Sequence, residues 1–275
     1  MVDLMFGSTG SGRWRALVVA VAVSLALGTS GFLAGPAGGT RRSADRPAPS
    51  PAAAEVGPLF AGGPGGRHFC TASVVRSGPG DLILTAAHCV SGTGTGLYFA
   101  PGYRDGLAPF GYWRVTAAYV EPAWSRSAVP QADYAFLRVV PSGTARPSRI
   151  QAAVGGETLA TSPAPGTPVT VRGYPEGSGG GPVACAARTY VHQGYAAFDC
   201  AGFSGGTSGG PWLSATTAGA PVVVGLIGGL KQGGCSASVS YSPQLGVAAQ
   251  ALLARAAAGG PADSVPAAPP DGCSS

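Results

Sequence analysis

Charge is scarce in this sequence. Only 11% of its 275 residues are charged, and the net charge of +5 rests on arginines spread singly along the chain, among them Arg67, Arg76, Arg104, Arg114, Arg126 and Arg138. A nucleic-acid interface needs a basic stripe, and none is visible, so these arginines read as solvated surface and no nucleic-acid partner is expected. Helical periodicity is scarce as well, which argues against a helical bundle. The N-terminal apolar run, 16–27, has about twelve residues, too few to cross a bilayer comfortably. Histidines number three, His68, His88 and His192, which limits the imidazole bases available to any chemistry. Among them, His68 and His88 with Cys70 and Cys89 lack the paired C-x-x-C or H-x-x-x-H spacing of a structural zinc site, so the rival zinc reading is set aside and neither metal nor cofactor is expected.

What the chain does hold is glycine, 46 residues, and proline, 25. Clusters of Gly, Pro and Ser separate short apolar or alternating runs at 69–75, 82–85, 97–100, 112–120, 134–140, 168–174, 183–191, 196–200, 222–227 and 237–241. Many short strands joined by tight turns predict an all-β fold of antiparallel barrels, whose closure removes exposed edges. One stretch, 244–257, has a helical pattern, with Leu245, Ala248, Ala249, Leu252 and Leu253 near one face after Pro243.

The organisation follows from composition. Arg13 and Arg15, the apolar run and small residues through Gly39 have the layout of an export signal, 1–39. Reading the run on through Phe32 and Leu33 would make it an uncleaved membrane anchor instead. Residues 40–56, rich in Ala, Pro and Arg, read as a pro-segment or linker. A folded domain spans 57–258, and 259–275 is an Ala/Pro/Gly-rich tail expected to be loose. Six cysteines in an exported chain suggest three disulfides, with fifteen pairings open on number alone.

Three segments carry the chemistry: Thr85-Ala86-Ala87-His88-Cys89, Ala132-Asp133-Tyr134-Ala135-Phe136-Leu137, and Gly205-Gly206-Thr207-Ser208-Gly209-Gly210-Pro211. A serine hydroxyl is a poor nucleophile until a base removes its proton, and imidazole suits that task. His88 is the candidate base, Ser208 the nucleophile, and Asp133 the carboxylate that fixes the imidazole tautomer and stabilises the imidazolium. Asp105 and Asp199 compete for the acid role, but only Asp133 opens an apolar strand at a plausible interval after the histidine. His68 and His192 read as structural. Gly206 to Gly210 also matches the nucleophile elbow of α/β-hydrolases, yet that fold needs its histidine after the serine, and none follows Ser208.

With His68-Phe69-Cys70-Thr71-Ala72-Ser73-Val74-Val75 as a fourth motif in register, the chain resembles the chymotrypsin-like (trypsin-like) serine peptidases, especially the small secreted bacterial members, over roughly 59–256. The resemblance implies two six-stranded β-barrels with a C-terminal helix, His88 and Asp133 from the first barrel, Ser208 from the second, and the active site between them. It further implies backbone N–H groups of Gly206 and Ser208 as an oxyanion hole, and Cys70–Cys89 as the disulfide of the histidine loop. Cys185 and Cys200 flank a hairpin and form a reasonable second pair, which leaves Cys235 with Cys273.

Departures from the family pattern bear on activation and specificity. Thr207 stands where mammalian members carry an aspartate that pairs with a freed N-terminus, so a pro-segment would act by blocking or by assisting folding. Gly202 stands where trypsin-type enzymes place a carboxylate. Gly228-Gly229-Leu230 replaces the usual Ser-Trp-Gly pocket wall, Ile227 occupies the place of a histidine found in glutamate-specific relatives, and Phe203 completes the expected pocket. With no charge-reading group evident, uncharged or apolar substrate side chains are expected. The implied protein is a secreted, monomeric serine endopeptidase acting on polypeptides without stable membrane association. A binding protein that has lost turnover, or an esterase using the same site, are the alternatives.

Overall fold

The computed structural model describes residues 48–49, 53–143, 148–176, 180–216 and 220–273. The export-signal segment 1–39 and most of 40–56 lie outside the described residues. Among the described residues no helix is long and apolar enough to cross a membrane.

Fifteen strands are described in chain order: β1 (Ala48–Pro49), β2 (Val56–Ala61), β3 (His68–Val74), β4 (Leu82–Thr85), β5 (Leu97–Phe99), β6 (Trp113–Val120), β7 (Ala135–Pro141), β8 (Thr158–Leu159), β9 (Pro168–Gly173), β10 (Val183–Arg188), β11 (Tyr190–His192), β12 (Tyr195–Asp199), β13 (Pro211–Ser214), β14 (Val222–Leu226) and β15 (Val239–Ser242). Three short α-helices join them: α1 (Pro122–Ser127), α2 (Ile150–Val154) and α3 (Val247–Ala257). The fold is mostly β, as the spacing of apolar runs predicts.

Strands β2-β3-β4-β7-β6-β5 close into a six-stranded barrel. Burial follows the pleat: β6 alternates buried and exposed at its start, while β3 and β4 are buried along nearly their whole length because both faces are covered. The barrel interior joins Leu59, Leu84, Phe99, Trp113 and Phe136 into one apolar cluster, which extends to Leu245, Ala249, Leu252 and Ala256 at α3. Arg138 of β7 binds the helix end, donating to Ala256 O at 2.6 Å, and pairs with buried Asp81 at 2.5 Å. Here a cation satisfies carbonyls that every helix C-terminus leaves open.

The second half differs from the expected closed barrel. It consists of a six-stranded sheet, β1-β10-β9-β13-β14-β8, and a separate three-stranded sheet, β11-β12-β15. The run read as one strand over 183–191 breaks at Thr189, whose backbone N–H and hydroxyl turn to Thr167 O and Ala164 O. The two sheets are tied by Cys185–Cys200, by the Gly228 N–H donating to Tyr241 O, and by a shared core around Phe198, Phe203 and Trp212.

Four strands escaped the sequence reading: β1, β2, β8 and β13. β2 begins inside the segment read as linker: Val56 pairs with Ser73, and Glu55 O accepts the Val74 amide at 2.8 Å. Gly57 permits that closure, since a Cβ there would lie 2.1 Å from Ala100 O. β13 follows the glycine loop directly, with Pro211 at its first position, where a missing N–H is tolerated.

The tail is not loose as expected. Asp263 N–H donates to Ala118 O, its carboxylate accepts the Val120 amide and Arg255, and Gly92 and Val265 bond reciprocally. Val265 is buried, and Cys273 is bonded to Cys235.

Candidate active site

Antiparallel pairing brings the first two candidate groups together. β4 and β7 are neighbours with Thr85 opposite Ala135, so the turn leaving β4 and the turn entering β7 meet at one end of the barrel. The first turn, a 3₁₀ segment Ala87–Cys89, carries His88; the second, Pro130–Ala132, ends at Asp133. Asp133 is fully buried. One carboxylate oxygen accepts the His88 backbone N–H at 2.9 Å, and the other lies 2.8 Å from His88 Nδ1 and accepts the Gly229 N–H at 2.8 Å. A buried anion held by two amides and an imidazole nitrogen is well satisfied, and the Nδ1 contact directs Nε2 away from the carboxylate.

Ser208 lies in the loop between β12 and β13. That loop docks on the first barrel through β3: Thr71 N–H donates to Ser208 O at 2.7 Å, and Thr71 Oγ1 donates to Gly206 O at 2.9 Å while accepting the Tyr174 N–H. Thr85 Oγ1 in turn donates to Thr71 O. The spacing of motifs held no signal for this clamp, because Thr71 acts on a loop more than a hundred residues away. Glycines make the close approach possible: a Cβ at Gly209 would sit 2.1 Å from Thr71 O, and one at Gly210 would sit 2.2 Å from Arg172 O. Among the described residues, the Gly206 and Ser208 amides donate to no hydrogen bond.

Thr207 closes a local turn, with its N–H and hydroxyl both donating to Ser204 O. His68 is buried among Phe60, Tyr103 and Tyr174 in edge-on ring contacts, and burial pushes its pKa down despite nearby Glu176. The zinc reading fails on chemistry: Cys70, His88 and Cys89 are close together, but both sulfurs are spent in the Cys70–Cys89 disulfide. All three expected disulfides are present, Cys70–Cys89, Cys185–Cys200 and Cys235–Cys273.

His88 and Ser208 line one cleft of about 330 Å³. Of the residues expected in the substrate pocket, Phe203 lines it, while Gly202, Gly228, Gly229 and Leu230 lie outside its lining. Gly228 and Gly229 instead back onto Asp133, and a Cβ at Gly228 would lie 3.1 Å from its Oδ2. Ile227, Ser240 and the segment 231–237 complete the wall. The expectation of no charged group fails, because Lys231 and Asp271 both line the cleft; Asp271 returns to it through the Cys235–Cys273 bond.

Comparison with known proteins shows the family and the fold. Residues 70–226 match the family model of the trypsin-like peptidase domain. Among solved structures, the protease Anisep from Arthrobacter nicotinovorans is 25% identical with a TM-score of 0.64, covering 76% of this chain and 98% of its own. A thermostable serine protease, AL20, from an extremophilic microorganism is 24% identical (TM-score 0.63, 75% and 98% covered), and a Glu endopeptidase is 20% identical (0.60, 78% and 97%). No curated protein matches the sequence. With more than half of its length matched to the family model, the chain belongs to the trypsin-like serine peptidases.

Proposed function

We propose that the protein is an exported serine endopeptidase that cleaves polypeptides through an acyl-enzyme on Ser208. His88 takes the serine proton and later returns it to the leaving amine, and Asp133 holds the imidazole in the required tautomer. Water then hydrolyses the acyl-enzyme. The free amides of Gly206 and Ser208 would receive the oxyanion, each donor being worth about 3 kcal/mol to the transition state. One observation carries the reading: His88 Nδ1 sits 2.8 Å from a fully buried carboxylate while the same imidazole borders the cleft lined by Ser208. Three disulfides and the basic-then-apolar N-terminus favour export into an oxidising compartment. The reading takes the protein as a monomer with polypeptide substrates and no membrane or nucleic-acid partner.

The test is fluorophosphonate labelling of the secreted protein, followed by peptide mapping. Label on Ser208, absent from Ser208→Ala, together with casein cleavage faster than short-chain ester hydrolysis, is the expected result. An unlabelled serine would favour a binding protein, and a preference for esters would favour the esterase. Human heparin binding protein shares the fold at 13% identity, so architecture alone does not decide between catalysis and binding.

A further inference from the structure

The cleft wall opposite the candidate triad is built from two pieces of chain. Leu230–Gly233 forms a kinked turn whose two central residues, Lys231 and Gln232, adopt left-handed backbone angles, each with φ of 53°. Neither is glycine, and such conformations are unfavourable for residues with a Cβ, so other contacts must hold them. Those contacts lie on the C-terminal segment: Lys231 Nζ donates to Gly272 O at 2.5 Å, and Gln232 Nε2 donates to Pro269 O at 2.6 Å. The Cys235–Cys273 disulfide closes the same junction, and Asp271 is fixed by accepting the Cys273 N–H at 2.9 Å.

Lys231 and Asp271 therefore face one space with opposite charge, beside the uncharged polar groups of Ser204, Gln232, Ser236 and Ser240. A substrate side chain of either charge meets one favourable and one unfavourable partner there. A carboxamide meets two favourable ones, since its carbonyl accepts from an ammonium and its NH₂ donates to a carboxylate. We propose that residues 269–273 are a working wall of the substrate cleft, and that Lys231 and Asp271 together select a carboxamide side chain, Gln or Asn, on the acyl side of the cleaved bond. The inference rests on the peptidase reading above and sharpens its expectation of an uncharged side chain.

The experiment compares the full-length secreted enzyme with Lys231→Met, Asp271→Asn and Cys235→Ser/Cys273→Ser variants. Peptides identical except for Gln, Asn, Glu, Lys or Leu at the acyl-side residue serve as substrates. The wild type should favour Gln and Asn. Asp271→Asn should raise kcat/KM for the Glu peptide relative to Gln by about tenfold, and Lys231→Met should do the same for the Lys peptide. Removing the disulfide should raise KM throughout and level the series. Lys231 and Asp271 are exposed on the cleft surface, so the single variants test selectivity even where the double serine variant does not fold. A wild-type preference for Glu, Lys or Leu, or profiles that do not move in the variants, would overturn the proposal. Fluorophosphonate labelling separates the failures: no label on wild-type Ser208 removes the peptidase reading and this inference with it, whereas label with an unmoved profile removes the inference alone.

Discussion

At Gly206 the backbone adopts φ of 90°, and an added Cβ would lie 2.3 Å from Glu176 N and 2.6 Å from Tyr174 O. Both neighbours are main chain, so neither can swing aside, and any side chain must displace the loop that carries Ser208. Gly206→Ala is therefore expected to lower kcat by about a hundredfold or more through the misplaced amides, in line with loss of an oxyanion donor. A steady-state comparison with wild type at matched folded fraction checks this, and unchanged kcat would count against the role given to the 206 amide. His88, Asp133 and Ser208 could be put forward from sequence as candidates because each sits in a short local pattern whose chemistry depends on residue type. Thr71 was not, since a threonine inside an apolar strand carries no mark of the loop its hydroxyl will meet.

At the scale of elements, β3 is the strand on which both halves of the site depend. It supplies Cys70, whose disulfide with Cys89 anchors the residue next to His88, and Thr71, whose hydroxyl bridges Gly206 O and Tyr174 N. Thr71→Val keeps the shape but leaves a buried carbonyl and a buried amide unpartnered, which should destabilise the protein by on the order of 2 kcal/mol. Labelling of Ser208 should slow as the loop loses its hold. Thermal melting and the labelling rate, measured together, test both effects; a variant indistinguishable from wild type in each would contradict the clamp. Strand β2 shows why some elements stayed hidden. Its first residue, Val56, falls in the segment read as linker, and only the approach of Ala100 to Gly57 reveals that a missing Cβ closes the barrel. The helix near the C-terminus was readable because its apolar face repeats locally, although its first turn begins three residues later than expected, at Val247.

For the whole molecule, pH acts on groups that join the two halves. Glu157 is buried where its backbone bridges Val75, just beyond β3, and burial, then the hydrogen bond and charge of Glu55, push its pKa up to about 8, against the pull of Arg76 and Arg172. A raised carboxyl pKa means the folded state holds a proton that the unfolded chain releases. Its stabilising contribution is complete below the ordinary carboxylate pKa near 4.5 and is lost as pH rises through about 8. His68 acts in the opposite sense: with its pKa lowered by burial, acidification below the ordinary imidazole value of 6.5 favours the unfolded chain. Glu157→Gln should therefore melt close to wild type at pH 4 but about 5 °C higher at pH 9. Scanning calorimetry at the two pH values checks this, and equal shifts at both would show that the carboxyl does not titrate as described.

Sequence alone determined the all-β class, the C-terminal helix and the residue types of a candidate nucleophilic site, because strand alternation, glycine-rich turns and short chemical motifs are written within a few neighbouring residues. Tertiary structure decided what depends on distant partners meeting. It left the second half as two joined sheets, set Thr71 under the serine loop, and moved Gly228 and Gly229 from the pocket to the back of Asp133. It also folded the C-terminal segment onto the cleft, where a disulfide between residues 38 apart gives the pocket a carboxylate that no local pattern announces.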